Sequence, residues 1–102
     1  MKSTRDAKRR PTHPGEVLRE DVLPALGMSQ TELARRLGVS RLSVSELLLG
    51  KRALSPDMAV RIGRLTNTTP ESWLSMQSAV DLWELEKNPK RYRHIEPVEA
   101  RA

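Results

Sequence analysis

Cysteine and phenylalanine are absent from this 102-residue sequence, and aromatic residues make up only 3% of it. Without cysteine there is neither a disulfide framework nor a thiolate metal site. Without phenylalanine, and with two tryptophans and one tyrosine, a core must be filled by Leu, Val, Ile and Met. No apolar run approaches the ~18 residues of a membrane helix. The N-terminal charges have no apolar segment behind them of the kind a secretory leader needs. A cytoplasmic protein without membrane contact is expected. Histidine occurs only as His13 and His94, both in segments that read as irregular. No His-Glu-x-x-His spacing and no glycine-rich phosphate loop is present, so no enzyme, metal site or cofactor is expected. Basic charge, by contrast, is plentiful. Lys and Arg total 18 against 13 acids, a formal charge of +5 with a sequence pI near 10.2. An anionic partner fits that balance. The length is that of one domain.

The most informative stretch is SQTELARRLGVSRLSVSELLLGK, Ser29 to Lys51. Leu33, Ala34 and Leu37 recur at three-and-four spacing, which aligns them on one helix face, and Val44, Leu47 and Leu48 do the same after a break. Gly38 lies between the runs, where a sharp turn needs positive φ. Ser29 and Glu32 have the spacing of a capping box, and Ser40 is placed to cap the second helix. Two short helices joined by a Gly-containing turn make a helix-turn-helix, whose second helix enters the DNA major groove by its N-terminal end.

Around this motif the chain divides into three. Residues 1–10 carry five basic residues and one acid without apolar periodicity, and read as a disordered basic arm that either lies along an anionic partner or is simply solvated. Residues 11–86 read as the folded domain. A first helix is expected from Pro14 to Leu23, with Val17, Leu18 and Val22 inward; Pro24 should stop it, and Ala25 to Met28 should connect it to the motif. Gly50 should close the third helix. Ser55-Pro56-Asp57 opens a fourth, with Met58, Ile62 and Leu65 inward and a break at Thr66 to Thr68. Thr69-Pro70-Glu71 repeats the same signals and opens a fifth, reaching Glu86. The fold class is all-α, five helices and no strand. Residues 87–102 read as a charged, partly disordered tail, with Tyr92 and Ile95 as possible anchors.

The flanks resemble a known family. His13-Pro14-Gly15-Glu16 followed by VLREDVLPALGMS, then KRALSPDMAVRIGRL, then TTPESWLSMQSAVDLW, is similar to the HigA class of antitoxins from bacterial toxin–antitoxin operons. The motif itself resembles that of lambda-repressor-like (XRE-type) regulators. The resemblance runs from roughly Pro11 to Leu85. It implies a compact lambda-repressor-like fold, repression of the protein's own operon, and neutralisation of a RelE-like (HigB-type) toxin ribonuclease. The basic arm with the first helix, or an exposed part of the fourth and fifth, would meet that toxin. It also implies a structural role for His13 at the entry to the fold. Leu49 departs from the family's usual polar residue, and Leu42 from its usual polar reader.

Helix-turn-helix docking turns Ser40, Arg41, Leu42, Ser43, Ser45 and Glu46 toward base edges. Arg41 can donate two bonds to guanine O6 and N7, and Leu42 can touch a thymine methyl. Glu46 either accepts from cytosine N4 or pairs with Arg41. Gln30, matching a position that relatives use for phosphate, is the foremost phosphate candidate, with Thr31, Lys51 and Arg52 beside it. Arg35 and Arg36 are ambiguous, and at least one reads as a surface charge. On the fifth helix Trp73, Met76, Val80 and Trp83 form one stripe, with Leu74, Leu82 and Leu85 on a neighbouring one. More apolar surface than one domain needs suggests a homodimer contact through Trp73, Leu74, Val80, Leu82 and Trp83, unless both tryptophans pack within the protomer. A dimer would set two half-sites of a palindromic operator ~34 Å apart. A stand-alone repressor without a toxin, and a protein-interaction adaptor that leaves its DNA face unused, are the rival readings.

Overall fold

The computed structural model describes residues 9–99. Most of the N-terminal arm, residues 1–8, and the last three tail residues lie outside the described residues. Five helices follow one another, with no strand among the described residues. The first, α1, is built of three contiguous pieces: Pro14–Val17, a π-helical turn Leu18–Val22, and Leu23–Leu26. Then come α2 (Gln30–Leu37), α3 (Arg41–Leu48), α4 (Pro56–Thr66) and α5 (Pro70–Glu86), and a single 3-10 turn at Pro89–Tyr92.

The first helix corrects the expectation that Pro24 ends it. In a regular helix the proline ring meets the carbonyl four residues back and leaves a hydrogen bond unmade. Here the Leu23 amide bonds to the Leu18 carbonyl, five residues back. The wider turn accommodates Pro24 and lets the helix run on to Gly27, which adopts a left-handed φ of 60° as its C-cap. The sequence shows the proline but not the register shift that absorbs it.

The other boundaries follow local chemistry. Ser29, Ser40, Ser55 and Thr69 each sit in extended conformation and accept a bond from the amide three residues on, satisfying one orphan donor per helix. The reciprocal half of the box at Ser29 is replaced: the Glu32 carboxylate turns to Arg35 and Arg36. Gly38, with φ 71°, makes the turn of the helix-turn-helix.

The core is made of Leu18, Leu23, Leu33, Ala34, Leu37, Val44, Leu47, Leu48, Leu54, Met58, Ala59, Ile62 and Trp73. Each fully buried leucine contributes about 1.5–3 kcal/mol relative to exposure. α1 packs against α3 and α5, α2 against α3 and α4, and α4 against α5, so α3 is braced by α1 and α2. Gly15 makes the closest of these approaches possible. A Cβ on it would lie 1.8 Å from the Leu47 carbonyl oxygen. Beyond α5, Tyr92 and Ile95 are 39% and 64% exposed and neither joins the core cluster, so the anchoring expected of them is not observed.

Candidate nucleic-acid interface

Two arginines from outside the motif fix its helices. At the end of α2, Arg61 of α4 donates to the Leu37 carbonyl at 2.8 Å while Asp57 holds its Nε at 2.8 Å. At the end of α3, Arg19 of α1 donates to the Leu48 carbonyl at 2.9 Å. Each satisfies a carbonyl that a helix end leaves without an intrahelical partner, and puts positive charge at the negative end of the dipole. No local sequence signal marks either arginine. The Leu54 amide, in the loop after α3, is met by Oε1 of buried Gln77 at 2.8 Å, and Gln77 Nε2 in turn donates to Asp81 at 2.9 Å. A glutamine four residues after Trp73 was the available signal, since it stands on the inward stripe of α5.

His13 completes the frame. It is 6% exposed, and its Nδ1 accepts from the Gly15 amide at 2.9 Å, capping α1. Burial, with Arg10 second, pushes its pKa below the ordinary 6.5, against the opposing pull of Asp81, a backbone hydrogen bond to Arg52, and Glu16. The neutral ring therefore carries its proton on Nε2. His13 belongs to the scaffold beneath the loop after α3. Among the described residues, no group of His, Cys, Asp and Glu could hold a metal ion.

On that frame α3 presents its N-terminal half outward. Arg41 and Leu42 are exposed, Leu42 by 67%, and Ser43, Ser45 and Glu46 are half-buried beside them. Ser40 Oγ accepts from the Ser43 amide at 3.0 Å and pairs with Ser43 Oγ at 2.8 Å. No described group engages the Arg41 guanidinium, which leaves its fork of donors open. Gln30 and Thr31 stand at the start of α2, and Lys51 lies exposed just past α3.

Glu46 does not pair with Arg41. Five residues along a helix is about 140° of rotation, so the two side chains diverge. Glu46 instead takes Arg52, whose Nη2 lies 2.6 Å from Oε1 while its Nη1 donates to Ser43 Oγ at 3.0 Å. Arg52, placed by sequence among the phosphate candidates, thus lies back across the candidate base-reading face. Arg35 and Arg36 both bridge to Glu32, and these two bonds, Arg35 first, hold the Glu32 carboxyl down at about 2. Leu47 and Leu48 are buried and Leu49 is 56% exposed, as three consecutive leucines on a helix require.

The apolar surface of α5 is divided. Trp73 and Val80 are buried within the protomer, and Trp73 Nε1 donates to Thr68 Oγ1 at 2.7 Å. These two are corrected from interface to interior, because Trp73 lies in the core cluster with Met58, Ala59 and Ile62 of α4, and Val80 is only 3% exposed. Leu74 and Trp83 are half-buried, and Leu82 and Leu85 are 50% and 41% exposed. Lys87 Nζ stands 4.6 Å from the centre of the Trp83 ring.

Known proteins share this fold. A family model described as Helix-turn-helix matches residues 18–74. The chain is 40% identical over 95 residues to the HTH-type transcriptional regulator YbaQ of Escherichia coli, spanning 93% of this chain and 84% of that one. It is 40% identical over 80 residues to antitoxin HigA-1 of Vibrio cholerae, spanning 78% and 75%. The solved structure of Pseudomonas aeruginosa antitoxin HigA with the higBA promoter superposes with a TM-score of 0.80 at 39% identity, covering 88% of this chain and all of that one (100%). The chain belongs to the helix-turn-helix family, with the lambda-repressor-like fold that the HigA-type antitoxins share.

Proposed function

We propose that the protein is a sequence-specific DNA-binding antitoxin that represses its own operon and neutralises a RelE-like, HigB-type toxin ribonuclease. The observation that carries the DNA half is the outward N-terminal half of α3, with Arg41 unengaged and cations and amides on both sides. Arg41 and Ser45 face base edges, Leu42 a thymine methyl, and Gln30, Thr31 and Lys51 the flanking phosphates. The toxin half is supported by the likeness to proteins named antitoxin. The working unit is a homodimer through Leu82 and Leu85 of α5, flanked by half-buried Leu74 and Trp83, since exposed leucines on a helix already packed on its other side favour a self-complementary contact. A clean monomer in sedimentation at micromolar concentration would rule that unit out.

The test is co-expression of the tagged chain with the small reading frame beside its gene, scored for growth rescue and co-purification. Rescue with a stable complex is the expected result. A neighbouring product that is harmless and does not co-purify leaves a stand-alone repressor, the reading favoured by the likeness to a protein named transcriptional regulator.

A further inference from the structure

Arg52 leaves α3 behind in sequence, yet its guanidinium returns to the outward stripe of that helix. Ser43 and Glu46 are three apart on one face, and they hold Nη1 and Nη2 at 3.0 and 2.6 Å. Neither bond uses the whole fork. A guanidinium has five N–H donors, so three remain, fixed in direction before any partner arrives. The second feature is charge. With Glu46 at 2.6 Å the pair is close to neutral. Its pull on a phosphate is weak, while its directional donors are kept.

Building on the DNA-binding reading above, we propose that Arg52 reads a guanine edge in the major groove, and that Glu46, with Ser43, is the positioning residue that aims it. A carboxylate beside phosphates is repulsive when alone. Paired with Arg52 it becomes the fixed end of a lever whose other end offers two parallel N–H groups, the geometry that O6 and N7 of guanine accept. Glu46 accordingly does not read cytosine. The reading surface has two arginine forks, Arg41 from the start of α3 and Arg52 from the loop behind it.

The test begins by selecting a preferred duplex from a random-sequence library with the wild-type chain. Binding of that duplex and of all its single-base-pair substitutions is then measured by fluorescence anisotropy over a range of salt for wild type, R52A, R52K, E46Q and R52A/E46Q. Thermal melts check that each variant is folded. R52A is expected to lose about 10–100-fold on the preferred duplex and its discrimination at one G·C pair, with a salt slope changed by well under the ~0.9 of one phosphate. R52K keeps the charge without the fork and should behave as R52A does. E46Q should relax the same base pair, and the double variant should be no worse than R52A.

A loss spread evenly over all sequences with the slope reduced by about 0.9, or full rescue by R52K, makes Arg52 a phosphate contact and overturns the proposal. So does an E46Q variant with unaltered discrimination. If the wild-type chain selects no sequence, the DNA-binding reading itself fails, an outcome distinct from either.

Discussion

Replacing Gly15 by alanine tests the packing on which the placement of α3 depends. The added Cβ would stand 1.8 Å from the Leu47 carbonyl oxygen and 2.7 Å from its carbon. Ordinary carbon–oxygen contacts lie at about 3.3 Å or more, so α1 and α3 must separate by roughly 1.5 Å. The obstacle is backbone in the last turn of a helix and cannot swing aside as a side chain would. Overpacking of this kind costs about 1–3 kcal/mol, and the rigid partner places Gly15→Ala at the upper end. At about 3 kcal/mol the Tm of a domain this size falls by roughly 12–24 °C. Gly27→Ala is the comparison. Its φ is 60° and nothing lies within 4 Å of the new Cβ, so only the left-handed backbone conformation is charged against it, about 1–2 kcal/mol. Urea denaturation of wild type and both variants measures the difference. A Gly15→Ala protein as stable as wild type, or more stable than Gly27→Ala, would refute the close approach of α1 to α3.

Three further outcomes are expected. Gln77→Leu leaves the buried Leu54 amide without its acceptor and should cost about 1–3 kcal/mol, read as a lower urea midpoint; an unchanged midpoint means that the loop after α3 is not held there. The lowered pKa of His13 means that, below its ordinary 6.5, the unfolded chain takes up a proton that the folded ring refuses. That contribution is present in full above 6.5 and is lost as the pH falls through the lower folded value, so stability should fall on acidification. His13→Asn keeps an acceptor for the Gly15 amide and should remove that part of the slope; a slope identical in both proteins contradicts the assignment. Glu32, whose carboxyl is held at about 2 by Arg35 and Arg36, should titrate at an ordinary carboxylate value in the Arg35→Ala, Arg36→Ala double variant, as followed by carboxyl carbon NMR shifts.

The parts of the fold legible in the sequence were those written in local chemistry. A serine or threonine cap, with proline and an acid after it at Ser55 and Thr69, and a glycine at the turn, set boundaries that do not depend on distant residues. The first helix runs past its expected end because Pro24, a local stop signal, is overridden by a π turn that gains the burial of Leu23. The two-sided apolar pattern of α5 was visible, but the side facing α4 was not. Periodicity gives the angle between stripes and not the neighbour each one meets. Of the site, the exposure of Arg41 and Leu42 followed from their places on α3. The Arg52–Glu46 pair did not, since a loop residue returning over a helix leaves no periodic trace. The same holds for Arg19 and Arg61, which reach carbonyls 29 and 24 residues away in sequence.

That α3 reads DNA by its N-terminal half is tested by anisotropy titration of a selected duplex and its base-pair variants with Arg41→Ala and Lys51→Ala. Arg41→Ala should relax preference at one base pair, by about 1–3 kcal/mol. Lys51→Ala should weaken all sequences alike and lower the salt slope by about one. Wild-type affinity and specificity in both variants would contradict the account, because α3 would then not be the reading element.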